Sequence, residues 1–179
     1  MQDMDLWMSG VASIAESLSA ALGMDVHPFL EQRMDERHVC DVVFDVRALN
    51  GTLEYSIVVE VEHNYNTMTE RADTERTARI LEWAWEHAQA ASPTCGHGLV
   101  RWNLFGRVRR MPAHFNDRLC TLCDILFEAV HLRHTSPYNE FGWVVYVFYD
   151  NDHPVARRNH RHGDDLGLPH GALSPLPNV

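Results

Sequence analysis

Two runs rich in β-branched and aromatic residues, 39–49 and 52–62, meet at Asn50-Gly51, and this arrangement constrains the chain more than any other. Asn-Gly is a preferred centre for a two-residue hairpin, because both residues tolerate the positive φ that strand twist requires there. Such a loop sets the register: Leu49 faces Thr52, Asp45 faces Ser56 and Asp41 faces Glu60. Alternation then puts Asp41, Val43 and Asp45 on one face with Ser56, Val58, Glu60 and Glu62. Val42, Phe44, Ile57, Val59 and Val61 line the other. Three carboxylates, Asp41, Glu60 and Glu62, gather at one end. Like charges opposed across strands are destabilising, and the valines around them argue for buried strands, so a compensating cation is expected. Asp45 stands about 13 Å along from the Glu60 row at ~3.4 Å per residue, which leaves Asp41 as the partner of Glu60.

Paired carboxylates are hard oxygen donors, suited to Mg²⁺ (or Mn²⁺), and such an ion activates water and stabilises phosphoryl charge. Asp41 and Glu60 are therefore the candidate metal ligands, with Glu62 assisting. The competing reading is a solvated sheet end whose acids only confer solubility, since clusters of acids mark sites only statistically.

Around the hairpin, residues 11–23 place Val11, Ile14, Leu18 and Leu22 at helical spacing before Gly23. The segment 67–90 has no Gly or Pro and carries a stripe of Ala78, Leu81, Trp85 and Ala88, so a long helix is expected. A short strand follows at 98–103, a basic loop at 105–115, a helix at 116–131 through Leu119, Leu122, Leu126 and Val130, and a buried-type strand at 142–149. Residues 151–179, with four prolines and four histidines, read as an appended tail. The domain expectation is a lead-in at 1–38, a core at 39–150 forming one domain with it, and the tail.

Length and composition agree with one globular domain: 179 residues, 45% hydrophobic and 22% charged. No stretch approaches the ~18–20 apolar residues of a membrane helix. The start of the chain lacks a cationic secretory segment, so an intracellular protein of cytoplasm or nucleus, with reduced cysteines, is expected. The chain has no lysine, and its net charge of −10 argues against a nonspecific nucleic-acid coat. Charge is uneven, however. Residues 1–75 hold fifteen acids and four arginines, whereas 101–134 hold six arginines and three acids, so Arg101, Arg107, Arg109 and Arg110 form a local basic stretch.

A strand with an aspartate, a hairpin, a strand with Glu60-Val61-Glu62, a long helix and a further strand together resemble the core of the PD-(D/E)XK nuclease superfamily. Within it, VVEVEHNYN, TERADTERTARILEWA, VRWN and VVYVFYD are similar to proteins related to very-short-patch-repair endonucleases, common in large DNA viruses and protists. The resemblance spans 39–150 and implies a restriction-endonuclease-like α/β fold, a mixed central sheet flanked by helices. It also implies a Mg²⁺-dependent endonuclease acting on DNA, and a virus as one source of the gene. By the same resemblance His63 or Asn66 orients the nucleophile and Glu16, on the first helix, joins the metal site. Arg101 and Asn103, sharing a strand face, can reach phosphate, and on the helix after the acidic strand Arg76 or Arg79, which the sequence does not separate, can touch phosphate or the carboxylates. Glu62 occupies the superfamily's usual lysine position. The alternative is a catalytically silent module that binds nucleic acid or serves as a structural protein, for example of a virion. A homo-oligomer or protein partner stays open.

Cys120-x-x-Cys123 and His131-x-x-His134 invite a zinc reading. Seven residues separate the pairs, and the helical periodicity of the segment spreads them along a rod, which favours packed cysteines.

Overall fold

The computed structural model describes residues 2–61, 71–102, 115–133, 143–150, 153–159 and 174–175. Glu62, His63, Asn66, Asn103, Arg107, Arg109 and Arg110 lie outside the described residues. The elements are α1 (Gln2–Leu22), β1 (Asp25–Arg33), β2 (Val39–Arg47), β3 (Leu53–Val61), α2 (Arg71–Ala91), β4 (Gly96–Trp102), α3 (Phe115–Arg133), β5 (Trp143–Asp150), β6 (His153–Asn159) and β7 (Ser174–Pro175). The strands form one mixed sheet in sequence order, β1 to β7. β3, β4 and β5 are parallel and the remaining neighbours antiparallel. This is the mixed α/β architecture expected from the sequence. No described helix is long and apolar enough to cross a membrane.

Both faces of the central strands are covered, which explains why they read as near-continuous apolar runs. On one face Val42, Phe44, Val46, Ile57, Val59, Val100 and Trp102 pack against α1 (Val11, Ile14, Ala15, Leu18) and α3 (Leu119, Leu122, Ile125, Leu126, Val130). On the other, Val43, Val58 and Leu99 pack against Ile80, Leu81 and Ala84 of α2. The spacing of these helical residues puts each set on one stripe, and each buried Leu or Ile contributes roughly 1.5–3 kcal/mol. Gly23, at φ 65°, ends α1 by donating its N–H to the Ser19 carbonyl at 2.9 Å. Ser19 Oγ then accepts the Val26 N–H at 3.0 Å and ties the helix to β1.

The hairpin has the expected register from Val42↔Val59 to Val46↔Tyr55, but not the expected loop. Gly51 N–H reaches the Ala48 carbonyl at 2.8 Å and Ala48 N–H the Thr52 carbonyl at 2.9 Å, so Leu49, Asn50 and Gly51 form a three-residue loop with Gly51 at φ 89°. That loop alone would shift the register by one. A bulge beside Val46/Arg47 leaves Glu54 as an extra residue on β3 and restores it.

Two segments depart from the sequence reading. The lead-in contains β1, which pairs with β2 along its length. Pro28 disguised it, yet an edge strand tolerates a missing N–H. The tail contributes β6 and β7 to the far edge of the same sheet.

Candidate functional site

The site is built where β2 and β3 emerge from the regular ladder. Glu60 sits on β3 with only 2% of its surface exposed, on the sheet face covered by α2. Its carboxylate meets two cationic or neutral donors. His38 Nε2 lies 3.1 Å from Oε1, and Arg76 Nη2 of α2 lies 3.5 Å from Oε2. An ionised carboxylate only accepts, so the His38 contact places an imidazole proton on Nε2. Burial first, then the Arg76 guanidinium, hold His38 below its ordinary pKa, against the pull of Asp35 and Asp41.

His38 is held by its own turn. Asp35 Oδ1 accepts the backbone N–H of Arg37 at 2.7 Å and of His38 at 2.8 Å. Met34 N–H donates to the His38 carbonyl at 3.0 Å. The Arg37 N–H, more than that of His38, keeps the Asp35 carboxyl below the usual range, with burial opposing.

Cys40 stands beside Glu60. The pairs Leu30↔Val42 and Gln32↔Cys40 flank Glu31, which adopts φ 50°. Opposite that irregularity the side-chain alternation of β2 slips by one. Cys40 packs with Val43, Val58 and the α2 residues, although strict alternation would put it on the Val42 face. Burial, reinforced by the charges of Glu60 and Asp41, pushes the Cys40 thiol well above its ordinary pKa. Asp41, half-buried, uses Oδ2 to accept the Val61 backbone N–H at 2.7 Å. The ligand atoms of His38, Cys40 and Glu60 all lie within 4.8 Å of one another, and they are the one such His, Cys, Asp or Glu trio found among the described residues.

The other expected site residues have definite places. Glu16 is exposed on α1, whose packing lies on the opposite face of the sheet from Glu60. Asp45 is far down the hairpin from the trio. It accepts from Ser56 Oγ at 2.8 Å, with Arg47 Nη2 at 3.8 Å and His87 Nε2 at 3.4 Å. Arg101 pairs in register with Glu60 across the parallel β3–β4 ladder. It is fully buried and donates to Thr77 Oγ1 of α2 at 2.7 Å, which shields it from solvent phosphate in this conformation. Arg79 is exposed on α2, with its charge felt by both Asp35 and His38. Of the two α2 arginines the sequence left unseparated, Arg76 therefore touches the carboxylate. Cys120 and Cys123 lie on α3, one exposed and one half-buried.

His38 and Cys40 were not singled out from the sequence. Their signal was present: His38-Val39-Cys40 puts a nitrogen and a sulfur donor two residues apart, the spacing of one strand face, at the entrance to the acidic strand.

The donor set bears on the expected Mg²⁺. That ion prefers an octahedral shell of oxygens and binds sulfur poorly. Here the neighbours of Glu60 are imidazole and thiol, and Asp41 is engaged with a backbone amide. The described residues thus offer a metal-binding group of mixed nitrogen, sulfur and oxygen donors.

No family model matches the chain, and no curated protein does. Among solved structures it is similar to Pyrococcus furiosus SfsA in complex with Ca²⁺, at 14% identity and a TM-score of 0.30, covering 84% of this chain. The match spans 59% of the SfsA chain.

Proposed function

We propose that this chain is a nuclease-fold protein that hydrolyses phosphodiester bonds of DNA, with Glu60 at the centre of its active site. One observation carries the reading: a buried carboxylate at the end of a central strand has a nitrogen and a sulfur donor within 4.8 Å, an arrangement able to hold a divalent ion. A divalent ion supplies a water of lowered pKa and neutralises phosphoryl charge. The chain's own groups then have distinct tasks. Glu60 anchors the centre. Arg76, its side chain 40% exposed, can turn from the carboxylate towards a phosphate oxygen. His38, held neutral, keeps a ring-nitrogen lone pair for the ion. The basic stretch Arg107, Arg109 and Arg110, with Asn103 at its start, supplies backbone contacts to DNA.

The test is cleavage of single-stranded, duplex, mismatched and branched DNA with Mg²⁺, Mn²⁺ or Zn²⁺, beside Glu60→Gln. Cleavage by the parent and its loss in the variant support the reading; no cleavage of any substrate with any of these ions overturns it. A second reading, a silent DNA-binding module, is favoured by the ion pair of Arg76 with Glu60, which balances the buried charge without a metal. DNA binding without cleavage would select it.

A further inference from the structure

We infer that His38, Cys40 and Glu60 form a binding site for a thiophilic divalent ion of the Zn²⁺ type, with a fourth position left for water or substrate. The inference rests on the hydrolytic reading for the use of the ion, not for its binding.

The donor chemistry selects the ion class. Imidazole, thiolate and carboxylate together are a borderline-soft set, which Zn²⁺ accepts and Mg²⁺ and Ca²⁺ do not. Geometry agrees. Zn²⁺ bonds of about 2.0–2.3 Å put tetrahedral neighbours about 3.3–3.8 Å apart, so donors already within 4.8 Å need only rotamer adjustment to close on an ion. The His38 and Glu60 atoms start at 3.1 Å, with a proton between them that an ion would replace.

The backbone presets the trio. Cys40 is brought to the Glu60 face by the slip opposite Glu31, and His38, two residues earlier, is pinned through its own N–H and carbonyl by the Asp35 turn. With Cys40 and Glu60 on adjacent strands and His38 immediately before β2, no distant segment needs to move. His38 retains 21% side-chain exposure, which gives an entry path from solvent. Three protein ligands with one open position is the pattern of catalytic rather than structural zinc.

Co²⁺ is the spectroscopic probe. Untagged, full-length protein titrated with Co²⁺ should show the near-ultraviolet thiolate-to-cobalt charge-transfer band and the intense visible bands of tetrahedral cobalt, saturating at one equivalent, and Zn²⁺ should displace them while excess Mg²⁺ does not. Cys40→Ser should abolish the charge-transfer band. His38→Ala, at a partly exposed site, should weaken Zn²⁺ binding at least tenfold with the fold retained by circular dichroism. The double variant Cys120→Ser/Cys123→Ser should keep the band. Absence of the band in the parent, its survival in Cys40→Ser, or its loss in the Cys120→Ser/Cys123→Ser variant overturns the inference. A cobalt-binding protein that cleaves no DNA overturns only the hydrolytic reading. Mg²⁺-driven cleavage by a protein that shows no cobalt band overturns only the metal assignment.

Discussion

The carboxylate of Asp41 accepts the backbone N–H of Val61 at 2.7 Å, linking β2 to β3 just beyond the last regular pair, Val42↔Val59. Asp41 thus continues the hairpin with its side chain where the main chain stops. Hydrogen bonds to charged acceptors are worth about 1.5–3 kcal/mol. Asp41→Ala should lower unfolding stability by about that amount in a urea titration, and Asp41→Asn, which keeps an acceptor oxygen, by less. Equal stability of parent and Asp41→Ala would show that the contact contributes nothing in solution.

Arg76 leaves a different mark. Its removal deprives a buried carboxylate of a partner, but a guanidinium with 40% exposure is screened by water. Arg76→Ala should therefore cost about 1–2 kcal/mol, nearer to the loss of a single hydrogen bond than to the breaking of a dry ion pair. Thermal unfolding of Arg76→Ala beside Arg79→Ala checks this, with the exposed Arg79 expected to change little.

The depressed pKa of His38 makes stability depend on pH with a definite sign. The unfolded chain takes up a proton near the ordinary 6.5, whereas the folded site resists it. Wherever the unfolded state binds more protons, stability falls as pH falls. The parent should be fully stabilised above 6.5 and lose stability below it until the folded pKa is reached. His38→Asn should show a shallower decline over that window in parallel denaturant titrations.

The thiols should separate by reactivity, because the thiolate is the nucleophile and burial suppresses it. Cys120 is exposed, whereas Cys40 and Cys95 are buried. Cys123 is pushed up to about 11 by burial and by Asp124. Native alkylation followed by mass spectrometry should label Cys120 first and leave Cys40 and Cys95 unmodified until denaturant is added. Early labelling of Cys40 would contradict the packed environment around it.

DNA contact through the basic stretch has a salt signature. Changing Arg107, Arg109 and Arg110 to alanine should reduce the slope of log affinity against log salt by roughly 0.7–0.9 per lost phosphate contact. Equal slopes for parent and triple variant would remove that stretch from the interface.

Asn50-Gly51 and the flanking valines were enough to determine the hairpin, its faces and the pairing of Val42 to Val46 with Tyr55 to Val59. With both faces of these strands buried, a one-residue slip would turn every core side chain the wrong way. That same constraint outweighed the turn itself: a three-residue loop and a bulge at Glu54 offset one another, so the register stood although the loop expected from Asn-Gly did not form. The amphipathic stripes of α1 and α3 were equally legible, because helical periodicity is local, whereas on α2 the expected Ala78 and Trp85 are exposed and Ile80 and Ala84 pack on the sheet beside Leu81 instead. The neighbour of Glu60 was not. Strict alternation names Asp41, and the folded chain also brings Cys40 and His38 to the carboxylate. That choice depends on an edge strand concealed by Pro28, on the positive φ of Glu31 within it and on the packing of α2 over Cys40. Each is a relation between residues distant in sequence, so only the tertiary structure could decide which donors surround the buried carboxylate.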